Sequence, residues 1–388
     1  MASGPYDIVV FGATGFTGAL TAEYLAAHAP SGTRWALAGR NMEKLEALRS
    51  RLGANSADLP LLRADVTDAE SLRAVAEATK VVITTVGPYI RYGEPLVAAC
   101  AAAGTDYVDL TGEPEFVDRM WLGYHEQATR SGARLVHSCG FDSIPYDLGA
   151  LFTVGQLPRE APIALEGFVR VGGTFSGGTY QSTIEILGRL RQGVSVARER
   201  RRRERRPEAR RVRGARGTPR HDEFGGGWAV PVPTIDPQTV LRSARALDRY
   251  GPDFSYAHYL VVKRLPALIG LAGGAAGVAA LAQLPPTRNA LLKLKSSGEG
   301  PSPEERAKSW FRVRFQARAD GLLVRTQVSG GDPGYGETSK MLAESALSLA
   351  FDHLPETAGQ VTPAVAMGDA LLGRLERAGI KFEVLDGG

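Results

Sequence analysis

Ile8-Val9-Val10-Phe11-Gly12-Ala13-Thr14-Gly15-Phe16-Thr17-Gly18 is the stretch that decides the fold. Four apolar residues in a row describe a strand with neither face in water, as in a parallel sheet covered on both sides. Glycines follow at once at 12, 15 and 18, and the chain then reads as a helix near 16–28. Such glycines let the backbone turn sharply and approach a pyrophosphate, which rests on unpaired N–H groups at the helix N-terminus. The spacing is G-x-x-G-x-x-G, a variant of the G-x-G-x-x-G fingerprint. A glycine triplet alone would mean only a tight strand-to-helix turn. The strand before it and the helix after it make Gly12, Thr14, Gly15, Phe16, Thr17 and Gly18 a dinucleotide-binding loop.

Outward from this loop, Asp7–Phe11, Arg34–Ala38, Pro60–Ala64, Val81–Thr85, Asp106–Asp109 and Arg134–Ser138 read as strands. Helical stretches near 16–28, 41–52, 68–78, 93–103, 114–131 and 144–154 alternate with them. The alternation predicts an α/β fold whose first part, residues 1–155, is a Rossmann-type doubly wound parallel sheet. Residues 156–334 read as an inserted α+β substrate domain. It has a strand over Ile163–Val171, a helix over Thr179–Gln192, turns over Gly225–Trp228 and Pro231–Pro237, and an antiparallel pair, Trp310–Ala317 with Leu322–Ser329. Residues 335–388 read as C-terminal helices (Tyr335–His353, Pro363–Ala378) that return to the first domain, with a closing strand Lys381–Leu385.

Within the 388 residues, 44% are hydrophobic and 23% charged, globular proportions that exclude wholesale disorder and fibrous repeats. Two cysteines, Cys100 and Cys139, support neither a disulfide framework nor a zinc site, so a cytoplasmic setting is expected. The first residues lack the basic flank and apolar run of a signal peptide, and export is not expected. The formal charge of +4 is one local feature, because residues 198–220 hold 12 Arg against 3 Glu and removing that +9 leaves −5 elsewhere. The run is expected to be a mobile basic loop that draws in an acidic carrier or an anionic surface. No aromatic residues interleave with its arginines, which argues against nucleic acid. Residues 265–284 carry no charge and are long enough to span a bilayer. Their Gly/Ala character favours a buried helix over a membrane-surface one, and either over a span.

The end of the second strand selects the dinucleotide. NAD requires an acid there for the ribose hydroxyls. The sequence instead has Ala38-Gly39-Arg40-Asn41. Arg40 can fork onto a 2′-phosphate, with Asn41 or Lys44 assisting, and the expected cofactor is NADP(H). Asp65 and Val66 after the third strand would flank the adenine. Gly87 and Pro88 after the fourth would approach the nicotinamide ribose.

The motifs Phe11–Gly18, Leu37–Arg40, Gly87–Tyr89 with Tyr92–Pro95, Tyr107–Glu113, Cys139–Pro145, Asp332–Gly336 and Thr362–Gly368 together resemble the saccharopine-dehydrogenase-like reductases, and within them the actinobacterial trans-acting enoyl reductases. The likeness runs through nearly the whole chain. It implies NADPH-dependent reduction of an enoyl thioester held on an acyl carrier protein or polyketide synthase in lipid or polyketide synthesis.

That chemistry needs hydride at Cβ, stabilisation of an enolate oxygen and a proton at Cα. Candidates gather after the fourth, fifth and sixth strands: Tyr89 and Tyr92; Asp109, Thr111 and Glu113; His137, Asp142, Ser143 and Tyr146. The sequence offers Tyr89 or Tyr146 as hydroxyl donor, with Asp142 or Ser143 organising the loop. No Tyr-x-x-x-Lys pair is present. His137 reads as a satisfied core residue, Cys139 lacks an activating partner, and nothing has metal-ligand spacing. Two other functions stay open. One is a C–N oxidoreductase acting on an amino acid or imine. The other is a non-catalytic nucleotide-binding protein at a membrane.

Overall fold

The computed structural model describes residues 4–173, 177–205, 207–232, 234–293 and 300–385. Seven parallel strands form the first sheet: β1 (Tyr6–Phe11), β2 (Trp35–Gly39), β3 (Leu61–Arg63), β4 (Thr79–Thr84), β5 (Asp106–Asp109), β6 (Arg134–Val136) and, from far along the chain, Gly359–Val361. Their order is 3-2-1-4-5-6, with Gly359–Val361 added outside β6. The apolar run of β1 has a direct explanation: Ile8 and Val10 enter one buried cluster, and Val9 and Phe11 enter the cluster on the other face.

Several expected elements change at places with a visible physical cause. The strand read as Arg134–Ser138 stops at Val136 because Ser138 turns to φ 63° and gives its N–H to Asp109 Oδ1 at 2.8 Å. The helix read near 93–103 is Glu94–Ala103, and a short helix, Tyr89–Tyr92, precedes it. Tyr335–His353 shortens to Gly336–Phe351, and Pro363–Ala378 divides at Met367 into Pro363–Ala366 and Gly368–Arg377. Helix Gly336–Phe351 packs against the helix Phe16–His28, and the Tyr24 hydroxyl donates to Glu344 at 2.8 Å.

The second sheet is mixed. Its strands are β7 (Ile163–Gly172), β8 (Arg211–Gly214), β9 (Arg220–Asp222), β10 (Gly227–Pro231), β11 (Asp253–Val262), β12 (Trp310–Ala319) and β13 (Leu322–Gly330); continuing the numbering, Gly359–Val361 is β14 and Lys381–Leu385 is β15. The order is β15-β13-β12-β7-β11-β10-β9, with β8 also on β11. Gly227, Trp228 and Pro231, expected within turns, therefore belong to strand β10. β11 and the helix Asp236–Ala246 are additions to the expected elements. Helix Ile144–Val154 joins the two sheets and is buried nearly throughout. Gly149 allows this contact, since a Cβ there would come within 2.4 Å of the Phe315 ring on β12.

The arginine run is not the mobile loop expected. Residues through Arg203 continue the helix Leu190–Arg203, and β8 and β9 follow. Arg200 is buried against the Trp121 ring and donates to Asp118 and Glu204, each at 3.0 Å. Arg210 donates to the carbonyls of Ala244, Arg245 and Leu247, closing the end of helix Asp236–Ala246. Arg220 pairs with Glu166 and stacks on Tyr259. These guanidinium groups find carboxylates, carbonyls or rings within the chain, so they tie the insert together. The apolar stretch forms the helix Leu265–Ala282. It packs beside helix Gly177–Gly188, but Gly270, Gly273, Gly274, Gly277, Ala280 and Leu281 are exposed, so it is not the buried helix expected. Among the described residues, no helix is long and apolar enough to cross a membrane.

Candidate active site

A cleft of about 1150 Å³ opens at the carboxyl ends of β1–β5 and continues under the second sheet. Gly12, Thr14, Gly15, Phe16, Thr17 and Gly18 form its outer wall. Two of these glycines serve the turn and one serves the cleft. Gly12 has φ 82°, and a Cβ on Gly18 would lie 2.3 Å from the Gly12 carbonyl oxygen. A Cβ on Gly15 would meet nothing closer than that same oxygen at 3.4 Å, and it would point into open cleft. No side chain caps the helix Phe16–His28, so its first N–H groups are available to an anion. This cradle fits a dinucleotide pyrophosphate.

Arg40, Asp65, Val66, Gly87 and Pro88 also line the cleft. Arg40 is exposed at the end of β2 and free to reach a 2′-phosphate. Asn41 and Lys44 lie outside the lining: Asn41 Oδ1 accepts the Lys44 N–H at 2.9 Å as the cap of helix Met42–Arg51. Asp65 accepts both the N–H and the hydroxyl of Thr67, and these bonds hold its carboxyl below the usual range.

The residues after β5 build a support beneath the cleft. Asp109 accepts from Tyr107, Thr111 N–H and Ser138 N–H, and it pairs with His137 Nδ1 at 2.7 Å. His137 is buried between Tyr107 and Phe116, and its Nε2 has no partner among the described residues. The expected core placement therefore holds, but only one ring nitrogen is satisfied. Glu113 accepts the N–H groups of Tyr89 and Ile90 and the Ser182 hydroxyl. Burial nonetheless raises its pKa.

The two candidate tyrosines differ. Tyr89 donates its hydroxyl to the Thr84 carbonyl at 3.0 Å and accepts from Leu110 N–H at 3.4 Å. Its polar end is built into the frame. Tyr146 stands in the first turn of helix Ile144–Val154 and lines the cleft, with no hydrogen-bond partner for its hydroxyl among the described residues. Burial and the neighbouring Asp236 and Asp142 raise its pKa well above 10.

Asp142 lines the cleft beside Gly112, and burial, with Asp109 and Glu113, pushes it up to about 6. Ser143 is fully buried and lies 3.2 Å from the Thr239 hydroxyl, away from the lining. Cys139 is buried, and burial raises its thiol. Among the described residues no group of His, Cys, Asp and Glu could hold a metal.

Two ionisable lining residues come from the second region and are absent from the sequence-based candidates. Asp236 begins helix Asp236–Ala246, and His258 lies within β11. Thr234-Ile235-Asp236-Pro237 reads locally as a turn. A single histidine among strand residues reads as core. The Asp-Pro step at a helix start is the one local signal that could have drawn attention. The rest of this wall joins apolar Val169, Val171, Ile186, Leu187, Leu190 and Leu260 with uncharged polar Gln181, Ser182, Thr183 and Thr234.

Residues 8–136 match the saccharopine dehydrogenase NADP binding domain. A Mycobacterium tuberculosis protein bearing a trans-acting enoyl reductase name is 39% identical over 421 residues, covering 97% of each chain. A trans-acting enoyl reductase of Mycobacterium bovis is 37% identical, covering 97% of this chain and 96% of that one. Among solved structures, saccharopine dehydrogenase (L-Glu forming) from Saccharomyces cerevisiae aligns over 98% of this chain and 100% of its own. That alignment has a TM-score of 0.59 at 12% identity, a likeness of fold.

Proposed function

The chain belongs to the trans-acting enoyl reductase family of saccharopine-dehydrogenase-like proteins, and from that premise we propose that it reduces the α,β double bond of an enoyl thioester. Its dinucleotide is NADP(H), held by the Gly12–Gly18 loop and by Arg40. When bound, NADPH supplies the hydride that Cβ accepts.

The carrying observation is the composition of the inner wall. Among the described lining residues Arg40 is the one Arg or Lys, and it belongs to the cofactor end. An amino acid with several carboxylates would find no cation beside the nicotinamide end. An apolar acyl chain would find Val169, Val171, Ile186, Leu187, Leu190 and Leu260. The acidic groups suit a reaction that consumes a proton. Tyr146 offers its hydroxyl to Cα. Asp142, at about 6, is partly protonated near neutrality and can orient the thioester. Tyr89 supports the floor through its ring, and Ser143 holds the turn into the Tyr146 helix.

The trans-acting relatives suggest that the thioester arrives on an acyl carrier protein or polyketide synthase. The test compares NADPH oxidation on carrier-bound and pantetheine crotonyl-type thioesters with oxidation on keto-acid and amine pairs. Saturated thioester formed one-for-one with NADPH lost is the expected result. Turnover confined to the keto-acid and amine pairs would replace this reading with C–N chemistry.

A further inference from the structure

The inner end of the cleft holds an acid with no charge partner. Asp236 is 5% exposed. Its Oδ1 has no hydrogen-bond partner among the described residues, and the Thr234 hydroxyl donates to the carboxyl. The nitrogen facing it is His258 Nε2, 3.9 Å from Oδ2. That imidazole brings no charge, because burial pulls its pKa down to about 4 and its Nδ1 lies 3.0 Å from the Tyr256 hydroxyl. The other titratable groups facing Asp236 are Asp142 and Tyr146 from the first region and Tyr256 from β11. None is cationic. Such surroundings favour the protonated form of a buried carboxyl. The position at a helix start and the Thr234 hydroxyl favour the charged form, but burial outweighs both. The rings of Tyr146 and His258 meet at a steep angle with centroids 5.0 Å apart, so the Tyr146 ring lies at the same end of the cleft.

We infer that Asp236 is the proton reservoir of the reduction, acting through the Tyr146 hydroxyl, with His258 as the positioning residue between them. The inference rests on the enoyl thioester reading. Once Cβ has accepted hydride, the former π pair lies on the enolate. Cα forms a bond to the Tyr146 hydroxyl hydrogen, and the O–H pair stays on the phenolate oxygen. The Asp236 carboxyl proton moves to that oxygen through a water molecule in the cleft. Asp236, left as a carboxylate, takes a proton from solvent after product departs. One hydride and one proton have then been added. A neutral His258 suits this role, since an imidazolium would ionise Asp236 and empty the reservoir.

The experiment uses full-length protein with NADPH and crotonyl-pantetheine as probe, comparing wild type, Asp236→Asn, Asp236→Glu and His258→Gln. Asp236→Asn should lower kcat by about 10- to 100-fold while KM and NADPH affinity stay within about twofold. The basic limb of the wild-type pH profile should vanish in this variant, and Asp236→Glu should restore part of the rate. Infrared difference spectra of the cofactor-free protein at pH 8 supply a readout apart from turnover. The carbonyl stretch of a protonated carboxyl should be present in wild type and lost in Asp236→Asn. Wild-type turnover with an unchanged pH profile or no such band would overturn the role of Asp236 alone. A band present with no wild-type turnover of the thioester would overturn the enoyl reading, and the proposed proton path with it. Should Asp236→Asn lose NADPH affinity, the pH profile of Asp236→Glu decides: a profile identical to wild type overturns the inference.

Discussion

At the outer end of the cleft the backbone makes the site, whereas at the inner end side chains from distant segments make it. The Gly12–Gly18 loop presents N–H groups, and its glycines are needed because a Cβ would fill either the turn or the ligand's space. The inner cluster draws Asp142 from the turn before the linking helix, Tyr146 from that helix's first turn, Asp236 from a helix start and His258 from a strand of the second sheet. A backbone site is local and tolerates no side chain. A side-chain site is assembled across the sheets, and its properties come from burial. The first should fail by exclusion of ligand, and the second by loss of rate with ligand still bound.

The sharpest break of this contrast is Gly15→Val. It should lower NADPH affinity by about 1000-fold or more. Its thermal unfolding should match wild type, because nothing in the protein lies within 3.4 Å of the added Cβ. Gly18→Val, with the Gly12 carbonyl at 2.3 Å, should instead yield unstable protein. Equal melting temperatures for the two variants would remove the distinction between turn and ligand glycines. At the inner end, Tyr146→Phe should reduce kcat by roughly 100-fold or more with NADPH affinity unchanged. Tyr89→Phe should leave kcat near wild type and cost about 1–2 kcal/mol of stability, since the Thr84 carbonyl loses its donor. The reverse pattern in steady-state kinetics would exchange their roles.

Arg40→Ala sharpens the outer end. NADPH binding should weaken by about 10- to 100-fold and NADH binding should hardly change, as measured by fluorescence titration. Parallel losses would show that Arg40 does not read the 2′-phosphate. The smallest effect concerns Asp142. Its pKa is raised on folding from 3.8 to about 6, so the folded state holds its proton more tightly than the unfolded chain. Wild-type stability should therefore be fuller below pH 4 and decline as pH rises to 6, by roughly 1–3 kcal/mol. Asp142→Asn should lack that slope in denaturant titrations, and an identical slope would place Asp142 in ordinary solvent.

The same contrast explains what could be read from the chain alone. β1 is legible because both faces are buried, so Ile8-Val9-Val10-Phe11 carries no polar residue. Gly225–Trp228 and Pro231–Pro237 looked like turns because glycine and proline mark turns locally, yet pairing with β9 and β11 makes Gly227–Pro231 a strand. The arginines from 198 to 220 looked like a free basic run because charge counts cannot register Asp118, Glu166 or the carbonyls of a helix end.

By itself the sequence determined the parallel sheet, the NADP(H) cofactor and the family, and it offered the glycine loop and Arg40 as the residues to hold that cofactor. These rest on residues adjacent in the chain, where local backbone geometry and a single side chain suffice. Tertiary structure alone decided which tyrosine keeps a free hydroxyl, that Ser143 is turned away, and that Asp236 and His258 face Tyr146. It also decided which acids hold protons, because desolvation depends on everything packed around a carboxyl, and most of that packing comes from residues distant in sequence.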